Sequence, residues 1–335
     1  MRRIIIIFLI SIILFYLVIG IFGSYLYFII LDSDKDKKFI KVKNDKIVIF
    51  AAHQDDGVIM AGGYAMQTIK KGGSVHIVYI FDGETGNGRN RNIVRMNESF
   101  KAWKLAGVEK GNILFLDYDQ YYGLIDEKEI KSCINDVTDI LKKTNFDIIF
   151  IPLYEGGHYQ HDITNYVVSR AYLRNGMKCK LYECPEYNAY YSIKDTPGKI
   201  LSLLSKFIPF YEYDSPPSFA APEKTIGEIG SGNGNRLYLD MSDDELKLKR
   251  KMLTIFKSQD VKGLLNLYGY KDSYQIYTDY DYSKPPFDYE NSLARVVNNL
   301  KTVPVLRSIL WWLFGKTKPR HPDPDFMITR IEMTD

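Results

Sequence analysis

Short apolar segments alternate with longer amphipathic ones between residues 46 and 184, and this alternation constrains the fold more than any other feature of the chain. The apolar segments are rich in Ile, Val and Phe, which is typical of buried strands. The amphipathic segments have the period of helices that cover one face of a sheet. Strands that alternate with helices in this way predict an α/β fold, namely a Rossmann-like doubly wound, mainly parallel sheet with right-handed crossovers.

The same pattern predicts where each element begins and ends. The predicted strands are residues 46–52, 74–81, 112–118, 146–153 and 180–184, and the predicted helices lie near residues 58–71, 92–105, 127–143 and 163–174. After residue 185 the pattern becomes irregular. The clearest later element is a helix at residues 242–256, where Ser242 and Glu245 have the spacing of a capping box.

The N-terminal segment has a different character from the rest of the chain. Residues 4–30 are almost wholly apolar, and about 20 apolar residues suffice to cross a bilayer. The run follows Arg2 and Arg3, exceeds the roughly 7–15 apolar residues of a cleavable signal and lacks a clear cleavage site. We therefore predict an uncleaved single-pass transmembrane helix that places this chain in the membrane bilayer.

The orientation of this helix depends on the charges that flank it. Arg2 and Arg3 favour a cytoplasmic N-terminus, whereas the lysines between residues 35 and 43 favour the opposite orientation. We expect the remainder of the chain to be extracytoplasmic. The predicted organisation is a transmembrane signal anchor at 1–31, a charged tether at 32–45, a catalytic α/β core at 46–184, and a C-terminal part at 185–335 that completes the domain and carries substrate loops.

Two polar segments follow the first and the fourth predicted strands. They read Ala52-His53-Gln54-Asp55-Asp56 and Glu155-Gly156-Gly157-His158-Tyr159-Gln160-His161-Asp162, and they hold three of the five histidines in the chain. Because the carboxyl ends of parallel strands meet at one edge of a sheet, we expect the two segments to lie close together. Two imidazoles and one carboxylate are the ligand set of an open zinc site.

The spacing of these residues supports a hydrolytic reaction. His53 and Asp56 are three residues apart and can bind one metal ion, while Asp55 faces the attacking water as a general base. His158 and His161 are also three apart, so that one can complete the ligand set and the other can stabilise an oxyanion. For either segment taken alone, a polar turn that caps a strand end is an equally good interpretation.

Taken together and in this order, the two segments resemble the two motifs of the LmbE/PIG-L family of zinc-dependent N-acetylglucosaminyl de-N-acetylases. Those motifs read Ala-His-Pro-Asp-Asp-Glu and Glu-Gly-Gly-His-x-x-His-Asp. The resemblance extends over residues 46–173, and residues 251–259 resemble a later family helix that ends in Ser-Gln. It implies an enzyme that acts on N-acetylglucosamine-type groups.

The resemblance also implies roles for individual residues. One Zn²⁺ per chain would be bound by His53, Asp56 and His161. Asp55 would be the general base, and His158 would stabilise the transition state. The residues alone leave open which of the two later histidines is the ligand, so this choice comes from the resemblance.

Two positions depart from the family motif, and a few others resemble it more weakly. Gln54 replaces the usual Pro, which is expected to alter the rigidity of the turn, and Gly57 replaces the usual Glu, which is expected to remove a contact behind the metal or with the substrate. Arg95 and Glu98 resemble a family Arg-x-x-Glu pair, with an exposed intrahelical ion pair as the alternative.

Two aspartates, Asp117 and Asp119, end the third predicted strand at the edge where the polar segments lie. Carboxylates at that edge can bind sugar hydroxyls. Of the two we choose Asp119, and we expect it to bind substrate together with Arg95.

These observations predict a metal-dependent hydrolase that removes the acetyl group from an N-acetylglucosamine-type sugar by means of zinc-activated water. The predicted membrane helix favours a glycolipid or a membrane-proximal glycan as the substrate. One alternative, favoured by Gly57, is a catalytically reduced sugar- or lipid-binding membrane protein; another is an amidase that acts on a different amide. The net charge of only +3 and the absence of a basic stripe argue against a nucleic-acid partner.

Overall fold

The structure is a computed structural model that describes residues 38–83, 90–118, 127–154, 159–184, 236–259 and 272–282, together with residues 11, 261 and 265. Within these ranges, no helix combines the length and the apolarity needed to cross a bilayer. The predicted membrane helix at 1–31 lies outside the described residues, apart from Ser11. The anchor, its orientation and the division into segments therefore stay predictions.

The described residues form eight strands and five α-helices. The strands are β1 (Lys38–Ile40), β2 (Lys46–Ala51), β3 (Ser74–Phe81), β4 (Ile113–Tyr118), β5 (Ile148–Pro152), β6 (Lys180–Cys184), β7 (Arg236–Leu239) and β8 (Ser273–Ile276). The helices are α1 (Asp56–Lys70), α2 (Asn90–Leu105), α3 (Glu127–Lys143), α4 (Tyr159–Arg174) and α5 (Asp243–Leu253). The predicted helix at 127–143 and the predicted strands at 74–81 and 180–184 are confirmed at both ends.

All eight strands belong to one sheet, in the order β1-β7-β8-β6-β5-β2-β3-β4. The five strands β6-β5-β2-β3-β4 are mutually parallel, which confirms the predicted α/β fold with a mainly parallel sheet. The chain starts in the middle of this group at β2, runs outwards through β3 and β4, and then crosses back to β5. The carboxyl ends of β2 and β5 therefore lie at the topological switch point, where such sheets bind ligands.

Residues 236–259 and 272–282, which the structure describes within the C-terminal part, are more regular than their sequence suggests. Strands β7 and β8 extend the sheet, with β8 antiparallel to both β6 and β7. Strand β1, which lies within the predicted charged tether, pairs in parallel with β7. Strands of three or four residues are too short to show a period of two, so sequence patterns do not reveal them.

Apolar side chains fill both faces of the sheet. Alternate residues of β2 point to opposite sides: Ile47 and Ile49 pack with α1, α2 and α5, whereas Val48 and Phe50 pack with α3 and α4. The sheet is therefore covered on both faces, as the doubly wound prediction requires. Helices α1 and α4 both start earlier than predicted, so the polar segments after β2 and β5 run directly into the first turns of helices.

The cap of α5 is confirmed in detail. The backbone N–H of Glu245 donates to Ser242 Oγ at 3.3 Å, and the backbone N–H of Ser242 donates to Glu245 Oε2 at 2.9 Å. This reciprocal pair is the capping box that the spacing predicts. The cap fixes where α5 begins, on the outer side of α1.

Candidate active site

Three side chains from the two polar segments meet at the switch point of the sheet. One ligand atom from each of His53, Asp56 and His161 lies within 4.8 Å of the other two, and all three residues are buried. His53 follows β2, Asp56 is the first residue of α1, and His161 is in the first turn of α4. The fold thus brings together two segments that are more than a hundred residues apart.

One oxygen of Asp56 is the centre of this cluster. Asp56 Oδ2 lies 3.0 Å from His53 Nδ1 and 3.4 Å from His161 Nε2, and it accepts a hydrogen bond from the His53 backbone N–H at 2.7 Å. Burial by itself raises the pKa of Asp56, but the two imidazoles outweigh burial and hold that pKa well below its usual range. Asp56 is therefore anionic, as a carboxylate that binds a cation must be.

Gln160 orients the imidazole of His53. Gln160 Oε1 lies 2.5 Å from His53 Nε2, and an amide oxygen can only accept, so Nε2 carries a proton. Nδ1, the nitrogen that faces Asp56, is therefore the one that would lose its proton to bind a metal ion. A hydrogen bond of this kind fixes the tautomer of a metal-binding histidine. The sequence patterns do not single out Gln160; its position next to His161 in the second segment is the signal that could have identified it.

Asp55 lies beside the cluster and is held by an arginine. Arg95 Nη2 donates to Asp55 Oδ1 at 3.0 Å, and the side chain of Asp55 is 11% exposed. Burial and the neighbouring Asp56 raise the pKa of Asp55, while Arg95 and His53 partly offset that effect. The geometry places Arg95 behind Asp55, so its predicted contact with substrate stays a prediction.

Arg95 and Glu98 reach partners outside their own helix. Arg95 Nη1 donates to the Gly83 carbonyl at 2.9 Å, and the Gln259 amide, oriented to satisfy both groups, accepts from Arg95 Nε at 2.8 Å. Glu98 accepts from the backbone N–H and the hydroxyl of Ser258 at 2.9 and 2.5 Å. The alternative of an exposed intrahelical pair is wrong, because both side chains are buried and bind elsewhere.

The structure shows what contacts Gln54 and Gly57, the two residues that depart from the family motif. Gln54 Nε2 donates to the carbonyls of Phe81 and Asp82 at 3.2 and 3.0 Å, so it ties the end of β2 to the end of β3. A Cβ on Gly57 would lie 3.1 Å from Cζ2 of Trp103. The indole of Trp103 therefore fills the space next to Gly57.

Two of the predicted site residues, His158 and Asp119, lie outside the described residues, and their roles stay predictions. The other aspartate of that pair, Asp117, ends β4 in an exposed position with a φ of 54°. Asn92 Nδ2 lies 3.5 Å from Asp117 Oδ1. Asp117 is thus at the carboxyl edge of the sheet, where it was expected.

The donor set of the cluster suits a divalent cation. Two imidazoles and one carboxylate, buried and with other positions left open, are the ligands of catalytic zinc sites. With Nε2 held by Gln160, His53 Nδ1 and Asp56 Oδ2 lie 3.0 Å apart and can both become metal ligands. A divalent cation would replace the Nδ1 proton and interact with both atoms.

Part of the chain matches a known family. Residues 48–172 match the family model described as PIG-L: GlcNAc-PI de-N-acetylase. No curated protein matches the chain significantly. A deacetylase (a triple mutant) from the teicoplanin biosynthetic pathway is 13% identical, with 70% of this chain and 99% of that chain covered and a TM-score of 0.48.

Two other solved structures are similar at the same level. The N,N'-diacetylchitobiose deacetylase from Pyrococcus horikoshii is 18% identical, with 70% of this chain and 84% of that chain covered and a TM-score of 0.42. The 4-carboxy-2-hydroxymuconate hydratase GalB from Pseudomonas putida is 16% identical, with 70% and 97% covered and a TM-score of 0.39. At these identities and TM-scores the similarities do not bear on the substrate.

Proposed function

We propose that this chain, which carries a domain of the PIG-L family at residues 48–172, hydrolyses the amide of an N-acetylglucosamine-type sugar and releases acetate. The observation that carries the proposal is the buried cluster of His53, Asp56 and His161, with Asp55 directly beside it. A metal-binding site with a carboxylate base beside it is an arrangement that can activate water for attack on an amide.

The proposed cofactor is one Zn²⁺ ion, held by His53, Asp56 and His161. When bound, zinc supplies a Lewis acid that polarises the amide carbonyl and acidifies a water molecule. The chain's part is to fix the ligands. Gln160 holds the ring of His53 in the required tautomer, and the His53 backbone N–H holds Asp56 Oδ2 in place.

Asp55 is the proposed base. Arg95 binds Asp55 Oδ1, and within the described residues the second oxygen, Oδ2, has no hydrogen-bond donor. That oxygen can orient a water molecule and accept its proton as the oxygen of the water attacks the amide carbon. The proton then passes to the departing amine, so that the products are acetate and the free amino sugar. His158 is proposed to stabilise the oxyanion, on the basis of the motif resemblance.

The predicted membrane helix at 1–31 favours a substrate at the bilayer. A glycolipid or a membrane-proximal glycan would meet a site held near the headgroups, and we propose an extracytoplasmic location for it. The support for this part of the proposal is the sequence pattern of residues 1–45.

Gly57 favours a second candidate, a sugar- or lipid-binding membrane protein of reduced activity. The space beside Gly57 is filled by the indole of Trp103, so no acidic side chain lies at that position of the motif. The candidate ranks lower because Asp55 and the three proposed ligands are all present. An amidase that acts on another amide has the same site chemistry, and only assays separate the two.

The test measures zinc content and acetate release by the full chain in detergent, with N-acetylglucosaminyl lipid and N-acetylglucosamine oligomers as substrates. We expect one zinc per chain and release of acetate. His161→Gln should lower zinc affinity by at least about tenfold and abolish turnover, because it removes one of three ligands. His76→Gln is the matched control, since His76 lies near the opposite end of β3 and packs against Phe146.

The remaining outcomes separate the alternatives. If the chain binds zinc but releases acetate only from amides that are not sugars, the proposed sugar substrate is wrong and the amidase alternative is favoured. Zinc binding and sugar binding without turnover would favour the binding protein. A chain that binds no zinc would overturn the proposed function.

A further inference from the structure

Helix α1, which begins with the proposed ligand Asp56, is interrupted after its first turn. Ala61 has φ −141° and ψ 25°, which are not helical values. In a regular helix the Gly63 N–H would donate to the Ile59 carbonyl. Here Gly63 N donates to Asp272 Oδ2 at 2.7 Å, and the Ile59 carbonyl accepts from Lys249 Nζ at 3.0 Å. Two side chains from elsewhere in the chain therefore take part in the hydrogen bonding of α1 at this break.

Lys249 and Asp272 are themselves a buried ion pair. Lys249 Nζ lies 2.5 Å from Asp272 Oδ1, and their side chains are 2% and 0% exposed. Asp272 Oδ2 also accepts from the Tyr64 N–H at 3.1 Å and from the Tyr274 hydroxyl at 2.9 Å. Each charge is thus paired and hydrogen-bonded, which a buried charge requires. Lys249 binds the Ile59 carbonyl before the break in α1, and Asp272 binds the N–H groups of Gly63 and Tyr64 after the break.

The glycine at the break permits this contact. A Cβ on Gly63 would lie 2.8 Å from Asp272 Oδ2 and 2.6 Å from Sδ of Met241. Neither approach is possible for a residue with a side chain. Gly63 therefore lets the carboxylate reach the backbone of α1.

The turn that the pair holds is the turn that carries the site. The N–H groups of Val58 and Ile59 both donate to the Asp55 carbonyl, at 3.1 and 3.3 Å. Ile59 thus connects two points: its N–H binds the backbone of the proposed base, and its carbonyl binds Lys249. Asp56 lies between them, so a shift of Ile59 moves the proposed ligand as well.

We infer that the Lys249–Asp272 pair positions the first turn of α1 for metal binding. Stability alone is a weak reason for such a pair, because apolar residues of similar volume often replace buried ion pairs without loss. A metal site, by contrast, needs its ligands held within about 0.5 Å. Lys249 acts through the Ile59 carbonyl, and Asp272 acts through Lys249 and the N–H groups of Gly63 and Tyr64, so both are positioning residues. The inference rests on the proposed metal site, and it adds two positioning residues that lie outside both sequence motifs.

The test replaces the pair by apolar residues, in the double variant Lys249→Met/Asp272→Leu. We expect a folded chain whose affinity for Zn²⁺ and Co²⁺ falls about 10- to 100-fold, the loss typical when support for a metal ligand is removed. The visible absorption of bound Co²⁺, which reports ligand geometry, should change. Lys251→Met, at an exposed position on the same helix, is the control and should leave metal affinity unchanged.

A second readout needs no metal. In the metal-free double variant, the amides of Val58 and Ile59 should exchange hydrogen at least about tenfold faster relative to those of β2, because their turn has lost its anchor. If the double variant does not fold, Lys249→Met/Asp272→Asn takes its place with the same expectations, since it keeps an acceptor for the α1 amides and removes both charges.

A folded variant with unchanged metal affinity, Co²⁺ spectrum and amide exchange would overturn the inference. A wild-type chain that binds no metal would overturn the proposed function instead. The exchange readout would then still test whether the pair holds the turn, so the two failures are distinguishable.

Discussion

Asp55 and Asp272 are two buried carboxylates next to helix α1, and their surroundings differ. Asp272 is 0% exposed and accepts hydrogen bonds from Lys249, two backbone N–H groups of α1 and a tyrosine hydroxyl. Asp55 is 11% exposed, and among the other described residues the one that donates a hydrogen bond to its side chain is Arg95. The pKa of Asp55 is raised, chiefly by burial.

The difference is between a carboxylate held on both oxygens and one held on a single oxygen. A buried carboxylate that accepts hydrogen bonds on both oxygens is suited to a fixed structural role. A carboxylate with one oxygen held and the other open keeps its orientation and can still exchange a proton. The comparison therefore predicts that changes at Asp55 affect turnover with metal binding intact, whereas changes at Asp272 affect stability and, through the first turn of α1, metal affinity.

The largest expected effect is on turnover in Asp55→Asn. The amide keeps an oxygen that can accept from Arg95, so the fold should persist, but it cannot take a proton. We expect kcat to fall about 100- to 10,000-fold with zinc content unchanged, the range for a lost general base. Steady-state assays of acetate release check this. Wild-type turnover in a zinc-loaded Asp55→Asn chain would show that Asp55 is not the base.

The next effect is on stability in Asp272→Ala. The substitution strands the buried ammonium of Lys249 and the N–H groups of Gly63 and Tyr64, at a cost of about 3–5 kcal/mol in unfolding free energy. Asp55→Ala should cost clearly less, because Arg95 keeps the Gly83 and Gln259 oxygens. Denaturant unfolding of both variants measures the two losses. Equal losses would remove the distinction between the two carboxylates.

Glu183 is a third buried carboxyl group to compare with Asp55 and Asp272. Its hydrogen-bond partners within the described residues include no cationic side chain. Burial raises the pKa of Glu183 to about 8, although hydrogen bonds from Tyr280 and Asn165, both at 2.7 Å, oppose the shift. The folded state therefore holds a proton that the unfolded state releases above pH 4.5. Its contribution to stability is fully present below about pH 4.5 and is lost as the pH rises through about 8.

This linkage predicts a loss on the order of a few kcal/mol in unfolding free energy between pH 5 and 8, since one pKa unit corresponds to about 1.4 kcal/mol. Glu183→Gln stays neutral and should flatten the slope. Denaturant unfolding across this pH range, with wild type as the reference, measures the difference. Equal slopes in the two proteins would show that Glu183 is ionised in the folded state.

The smallest expected effect is that of Gly57→Ala, within the turn that carries Asp56. The new methyl group would press on the Trp103 indole at 3.1 Å, and overpacking costs about 1–3 kcal/mol. Alanine has a higher helix propensity than glycine, which offsets part of the overpacking cost. The net loss in unfolding free energy should therefore be about 1 kcal/mol. A double-mutant cycle with Trp103→Phe should show coupling, because the smaller phenylalanine ring leaves space for the methyl group of Ala at position 57. An additive cycle would mean that Trp103 does not set the size limit at residue 57.

Much of the fold was predictable because its signals are local. The five parallel strands and the capping box of Ser242 follow from periods and spacings within a few residues. The meeting of His53, Asp56 and His161 was predictable for a related reason, since polar residues after parallel strands share one edge of the sheet. Strands β1, β7 and β8 were not, because their short segments acquire strand geometry only by pairing with a sheet already present.

The partners of the site residues were the least predictable part. Arg95 was expected to bind substrate, with an ion pair to Glu98 as the alternative, yet Glu98 binds Ser258, which is 160 residues away. The contact of Gln160 with His53 spans 107 residues, and that of Lys249 with Ile59 spans 190. No local period encodes such pairs, because each depends on which helix packs on which face of the sheet.

The sequence by itself thus determined the doubly wound sheet, the edge where its polar segments meet and the residue types found there, because strand and helix periods are properties of contiguous residues. Tertiary structure alone decided which carboxylate has both oxygens held by donors and which has a single oxygen held by Arg95. Asp55 and Asp272 have the same side chain, and their difference comes from the number of donors that the packed chain places around each one.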